Sequence, residues 1–209
     1  MKAVIINGSA RKHGNTALAL DTAAGALREN GIETETLEIG GGALHGCVAC
    51  GQCFEKQNRR CAFDDDLLNR HLDTLYAADA LLIGSPVYYA GINGALKCFL
   101  DRAFFVAGAN GGLFRHKVGA GVVAVRRGGE IAAWDQLNKY FTISEMFVPS
   151  GSYWNMVFGL EPGEAKHDAE GLETMRLLGA NMAWLLKCRA QNAASLPPPG
   201  EGAMTNFIR

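Results

Sequence analysis

The sequence predicts an α/β fold in three layers, a parallel β-sheet covered by helices on both faces. Three observations predict it. Short apolar runs, bounded by Gly, Pro, Asn and Asp, alternate five times with helix-period segments. The runs read as strands buried on both faces, as parallel strands are. The chain has 209 residues, 48% of them apolar, enough for one domain with a real core and short for two.

Residues 3–6, "AVII", make the first strand. A helix follows over residues 16–30, with Leu20, Ala23, Ala24 and Leu27 on one stripe and Gly31 closing it. Residues 33–39 alternate weakly and form a second strand. Asp64, Asp65 and Asp66 supply an N-cap and first-turn acids for a helix through Ala77, with Leu68, Leu72 and Leu75 inward. Residues 80–84, "ALLIG", make the third strand, and residues 93–106 a helix. Residues 118–125 make the fourth strand, residues 131–141 a helix and residues 146–148 a short fifth strand. Residues 168–188 form the last helix. Residues 1–190 thus make a single domain with a cysteine-rich insertion at 46–63, and residues 191–209 an extended, Pro/Gly-rich tail.

Twenty basic and 21 acidic residues balance, with no basic run or stripe, which argues against nucleic acid as a partner. No apolar run approaches the ~20 residues of a membrane-spanning helix, and no signal-peptide pattern opens the chain. The reading is a soluble cytoplasmic protein. In a reducing compartment, clustered cysteines serve metal or redox chemistry more often than disulfides.

In a parallel sheet of this kind ligands bind beyond the C-terminal strand ends, so the loops after strands one, three and four matter most. The first, "NGSARKHGNT", joins a strand to a helix N-terminus, where free N–H groups and the helix dipole favour an anion. Ser9, Asn15 and Thr16 add donors, Arg11 adds charge, and Gly14 allows close approach: a phosphate cradle, or more plainly a capped polar turn. The second, "GSPVYYAGING", contains Ser85, Pro86, Val87, Tyr88 and Tyr89. A planar ring could lie against it, or the tyrosines could simply cover the sheet end. The third, "RRGGE", offers Arg126, Arg127, Gly128 and Gly129; solvated charges on a turn explain the arginines equally well.

The densest motif is "GCVACGQCFEKQNRRC", with Cys47, Cys50, Cys53 and Cys61 at C-x2-C-x2-C-x7-C. Short spacers force the chain to wrap and turn the sulfurs toward one centre. Compact C-x2-C-x2-C runs recur in iron–sulfur proteins, whereas structural zinc prefers two separated knuckles. A cluster, a zinc site and a redox-active thiol loop all remain open on spacing alone. Cys98 and Cys188 sit in helical patterns and read as small buried hydrophobes. The five histidines form no pairing, and no catalytic acid, base or triad is legible.

Two motifs together, Ser9-Ala-Arg11-Lys-His-Gly14-Asn15-Thr16 and Ser85-Pro86-Val87-Tyr88 followed by Leu96-Lys97-Cys-Phe99-Leu100-Asp101-Arg102, resemble the NADPH-dependent FMN reductase family of flavodoxin-like proteins. The cysteine spacing resembles that family's iron–sulfur flavoprotein branch. The resemblance implies a five-stranded sheet in order 2-1-3-4-5. It implies FMN with its phosphate in the 9–16 loop, its ring on residues 86–89 and residues 126–129 on the other side. A [4Fe-4S] cluster on the four cysteines and NAD(P)H as electron donor follow from the same resemblance. So do small-molecule or protein electron partners and a homodimer or homotetramer. The expected function is electron transfer from NAD(P)H or a reduced carrier to flavin, quinone-like or iron–sulfur acceptors. The alternative is a non-enzymatic electron carrier of the flavodoxin or ferredoxin kind.

Overall fold

The computed structural model describes residues 1–200, 205 and 207. Five strands, β1 (Lys2–Asn7), β2 (Glu33–Glu38), β3 (Ala80–Pro86), β4 (Val118–Val125) and β5 (Met156–Phe158), form one parallel sheet in order β2-β1-β3-β4-β5. The helices are α1 (Asn15–Glu29), α2 (Gln52–Lys56), α3 (Leu68–Ala77), α4 (Gly94–Ala109), α5 (Glu130–Ile143) and α6 (Ala169–Gln191).

Strand alternation divides the core in two. Ala3 and Ile5, with Ala80 and Leu82, pack against Leu20 of α1 and Met182 of α6. Val4 and Ile6, with Leu81 and Ile83, face Leu72 of α3, Phe99 of α4 and Leu137 of α5. The period-two pattern is invisible in the apolar runs because both faces are covered. Only edge strand β2 is mostly unburied, which accounts for its polar "ETETLE".

The fifth strand departs from its expected place. Phe147 makes an isolated parallel bridge with Val118, taking 2.9 Å bonds from Gly119 N–H to its carbonyl and from its own N–H to the Lys117 carbonyl. Pro149, lacking an N–H, cannot continue that ladder. The chain leaves the sheet and returns as Met156–Phe158, beside Val123–Val125. Asn155 holds the re-entry, donating to the Gly121 carbonyl at 3.1 Å. The excursion leaves Tyr153 and Trp154 exposed.

The other differences are local. α3 starts at Leu68, not at the aspartates, because the Asp66 carboxylate accepts the Leu68 N–H two residues on. α2 lies unforeseen within the cysteine insertion. Cys98 and Cys188 are half-buried, not core. Residues 193–195 form a 3-10 turn, so the irregular tail begins at Leu196, and the Pro198 carbonyl accepts from Arg115. The extended tail expected over 201–204, 206, 208 and 209 lies outside the described residues. Among the described residues no helix is long and apolar enough to cross a membrane.

Candidate functional site

The loops after β1, β3, β4 and β5 meet at the C-terminal edge of the sheet. They enclose an open pocket of about 590 Å³ including its mouth. Ser9, Arg11, Gly14, Asn15, Thr16, Pro86, Val87, Tyr88 and Arg126 line it, as do Ala124, Gly159 and Leu160. The last two follow β5, and placing that strand ten residues early hid them.

The floor of the pocket is the start of α1. Gly14 is its N-cap, no side chain caps the helix, and no acid stands in the first turn. The first-turn N–H groups lack intrahelical partners by geometry, and the dipole favours negative charge there. The loop leading in is built by Asn7, a residue the sequence did not single out. Its side-chain Oδ1 accepts from Ser9 N–H at 3.1 Å, and its side-chain Nδ2 donates to Glu38 at 2.9 Å. Ser9 Oγ in turn accepts from Arg11 N–H at 3.1 Å. The Asn15 side chain is engaged elsewhere: it donates to the Glu161 carbonyl at 3.0 Å and accepts from Ala165 N–H at 3.1 Å. It therefore fastens the loop after β5 against α1, and its contribution to the pocket is the helix-start backbone.

The wall is the 86–92 loop. Val87 N–H bonds the Ala124 carbonyl, and Tyr88 and Gly91 exchange both backbone bonds at 2.9 Å. Between them Tyr89 and Ala90 have φ of 48° and 57°, a two-residue turn with both central residues left-handed. Tyr89 is fully exposed at the tip and does not line the pocket. Ser85 is wholly buried behind the wall: its Oγ accepts from Asn93 N–H at 2.9 Å, while the Asn93 side chain caps α4. Gly129, at φ 92°, starts α5, and a Cβ there would stand 2.8 Å from Ala90 Cα. Arg127, Gly128 and Gly129 thus fall outside the pocket lining, and Gly129 supports the wall from behind.

The four cysteines meet in a second pocket, lined also by His45, Phe63, Arg102, Phe105 and Val106. Left-handed residues at Ala49 and Gly51 turn the chain between Cys47, Cys50 and Cys53. Cys61 arrives separately: the Asn69 side chain accepts from its N–H at 2.9 Å and donates to its carbonyl at 3.0 Å. The insertion does not stay at the C-terminal edge of the sheet. It runs down α4, where Phe54 meets Phe105 edge-on and Arg59 N–H reaches Asn110, the C-cap. Arg102 stands about 14 Å along the helix axis from Asn93, nine residues at 1.5 Å each.

Arg102 is 1% exposed. Its guanidinium pairs with Asp66, donates to the Phe63 carbonyl at 3.1 Å, and reaches Cys61 Sγ from both Nε and Nη2 at 3.4 Å. Burial opposes its charge, but the bonds to Cys61 and Asp66 win and raise its pKa. Burial likewise pushes Asp66 up, while the Leu68 N–H and Arg102 outweigh it and hold the carboxyl below its ordinary value. Burial raises the Cys53 thiol. His45, read from sequence as isolated, lies 3.3 Å from Asp65.

A parallel sheet in order 2-1-3-4-5 with an uncapped helix start at its crossover defines a flavodoxin-like protein. The chain belongs to the NADPH-dependent FMN reductase family, whose model matches residues 1–161. It is 36% identical over 194 residues to an iron-sulfur flavoprotein of Methanocaldococcus jannaschii, covering 90% of this chain and 98% of that one. An iron-sulfur flavoprotein of Archaeoglobus fulgidus is 32% identical over 187 residues, 88% of this chain and 79% of the relative. Among solved structures, RosB with a bound riboflavin-phosphate intermediate superposes with a TM-score of 0.70 at 19% identity, covering 100% of this chain and 92% of its own. A WrbA-like flavodoxin from Agrobacterium tumefaciens superposes at 0.60 and 18%, with 90% and 98% covered. At those identities the structures speak for the fold alone.

Proposed function

We propose that the protein is a cytoplasmic FMN-dependent oxidoreductase that takes electrons from NAD(P)H or a reduced carrier and passes them through a [4Fe-4S] cluster to an acceptor. The observation that carries this reading is the presence, in one chain, of an anion cradle under a planar wall and a separate pocket lined by four cysteines.

FMN fits the first pocket. The uncapped start of α1, with Ser9 and Thr16 beside it, suits the phosphate. Pro86, Val87 and Tyr88 offer a flat wall whose backbone is already fixed by Ala124 and Gly91. Arg126 brings positive charge to the opposite side. When bound, FMN supplies the hydride and electron chemistry. The chain's own residues bind and orient it, and none is needed as an acid or base, in keeping with a site built of loops and amides.

The cysteine pocket suits a cluster better than one zinc ion. Structural zinc prefers two separated knuckles. Here three of the four cysteines come from one compact C-x2-C-x2-C run and all four line one pocket, an arrangement that suits a multi-iron cluster. Cys47, Cys50, Cys53 and Cys61 would hold it. The relatives, named as iron-sulfur flavoproteins, support the same assignment.

Exposed Tyr153, Trp154, Phe158 and Leu160 beside the flavin pocket favour a homodimer or homotetramer, which light scattering at micromolar concentration tests. The reductase reading itself is tested by steady-state NADH and NADPH oxidation with FMN-loaded protein. Turnover supports it; no turnover with either nicotinamide, together with rapid electron exchange with ferredoxin, favours the carrier alternative.

A further inference from the structure

Cys61 differs from the other three cysteines in what surrounds its sulfur. Two N–H groups of one buried guanidinium point at it, and the same guanidinium is paired on its far side with the buried Asp66. The pair is 1% and 4% exposed in its side chains, so water does not screen it. A fork with five fixed donors can serve a sulfur, a carboxylate and a carbonyl at once, which a lysine cannot. The arginine belongs to α4, not to the insertion. It therefore couples the fourth cysteine to the rigid core from outside the insertion, while Cys47 and Cys50 ride on a loop turned by left-handed Ala49 and Gly51 and Cys53 sits on the short α2.

We infer that Arg102 is a positioning residue that fixes Cys61 as the fourth ligand and sets the cluster's reduction potential, with Asp66 as its counterweight. This rests on the cluster reading given above. Hydrogen bonds to ligand sulfur and nearby positive charge withdraw electron density and favour the reduced state, which carries one more negative charge. The single electron gained comes from the reduced flavin or carrier. Arg102 neither gives nor takes a proton in that step, because the guanidinium stays charged throughout. Asp66 acts against Arg102: its negative charge lies across the guanidinium from the sulfur and offsets part of the positive field.

Two variants follow with opposite signs. Arg102→Lys keeps the charge but loses the fork, and the potential should fall by about 59 mV, a tenfold change in the one-electron reduction equilibrium. Asp66→Asn keeps the fork and removes the opposing charge, and the potential should rise. A purely structural pair would shift neither, or both in one direction. The measurement is an anaerobic redox titration of the holoprotein followed by electron paramagnetic resonance, with iron content determined on each sample.

Wild-type protein without iron overturns the cluster reading itself. Wild-type protein with iron, and potentials that stay put or shift with the same sign in both variants, overturns the role of Arg102. If a variant fails to fold, wild-type protein labelled with guanidino-15N arginine decides. A 15N coupling to the reduced cluster in pulsed resonance supports the contact, and its absence overturns it.

Discussion

Arg102 and Cys61 lie 41 positions apart in sequence, and both Nε and Nη2 of the arginine approach the cysteine Sγ at 3.4 Å. The contact ties the cysteine insertion to a helix that carries the core. Its energetics depend on Asp66, because an arginine this buried is stable only while paired.

Asp66→Ala therefore should cost about 3–5 kcal/mol of folding stability, the range for stranding one member of a buried ion pair. Urea unfolding of the anaerobic holoprotein measures it. A loss under 1 kcal/mol would mean that Arg102 finds another partner or water.

The same carboxylate predicts an acid limb. Its folded pKa is depressed by the Leu68 N–H and Arg102 against the opposing pull of burial. Its stabilisation is then complete above the unfolded carboxylate pKa of about 3.9 and fades as pH falls below it through the folded value. Unfolding free energy should decline below about pH 4, and Asp66→Asn should flatten that decline. An unchanged acid limb in the variant would assign it to other acids.

Gly129 and Ala90 are packed too closely for a side chain between them. A Cβ at Gly129 would stand 2.8 Å from Ala90 Cα, on a backbone at φ 92°. Gly129→Ala should push the 88–91 turn into the pocket, destabilise by about 1–2 kcal/mol and weaken FMN binding at least tenfold. Flavin fluorescence titration reads the affinity; wild-type affinity would show that the wall does not carry the ring.

Asn15 binds the loop after β5 at both ends of its amide. Asn15→Ala should free residues 159–165 and raise their amide hydrogen exchange, at a stability cost of about 1–3 kcal/mol. Unchanged protection there would leave Asn15 without this role.

The sheet was legible because its strands are short apolar runs, and four of the five stand where those runs are. β5 was not, because "MFV" and "MVF" look alike and the choice rests on Pro149 and on Asn155 reaching across to Gly121. That one shift concealed Gly159 and Leu160. Ser85 and Tyr89 were legible as loop residues but not as a buried strut and an exposed tip, since a motif gives composition and not direction. Arg102 stood in the quoted motif as one more helical residue. Its meaning depends on Asp66 and Cys61, 36 and 41 positions away, and no local pattern reports such a contact.

The proposed function requires both a flavin and an iron–sulfur cluster in one chain. Protein purified without oxygen should show flavin absorption bands over a broad cluster shoulder, with about four iron and four sulfide per chain. The cluster should be lost when Cys61 is replaced by alanine while the flavin bands persist. Flavin bands without iron in the anaerobic wild-type protein would show that the four cysteines hold no cluster.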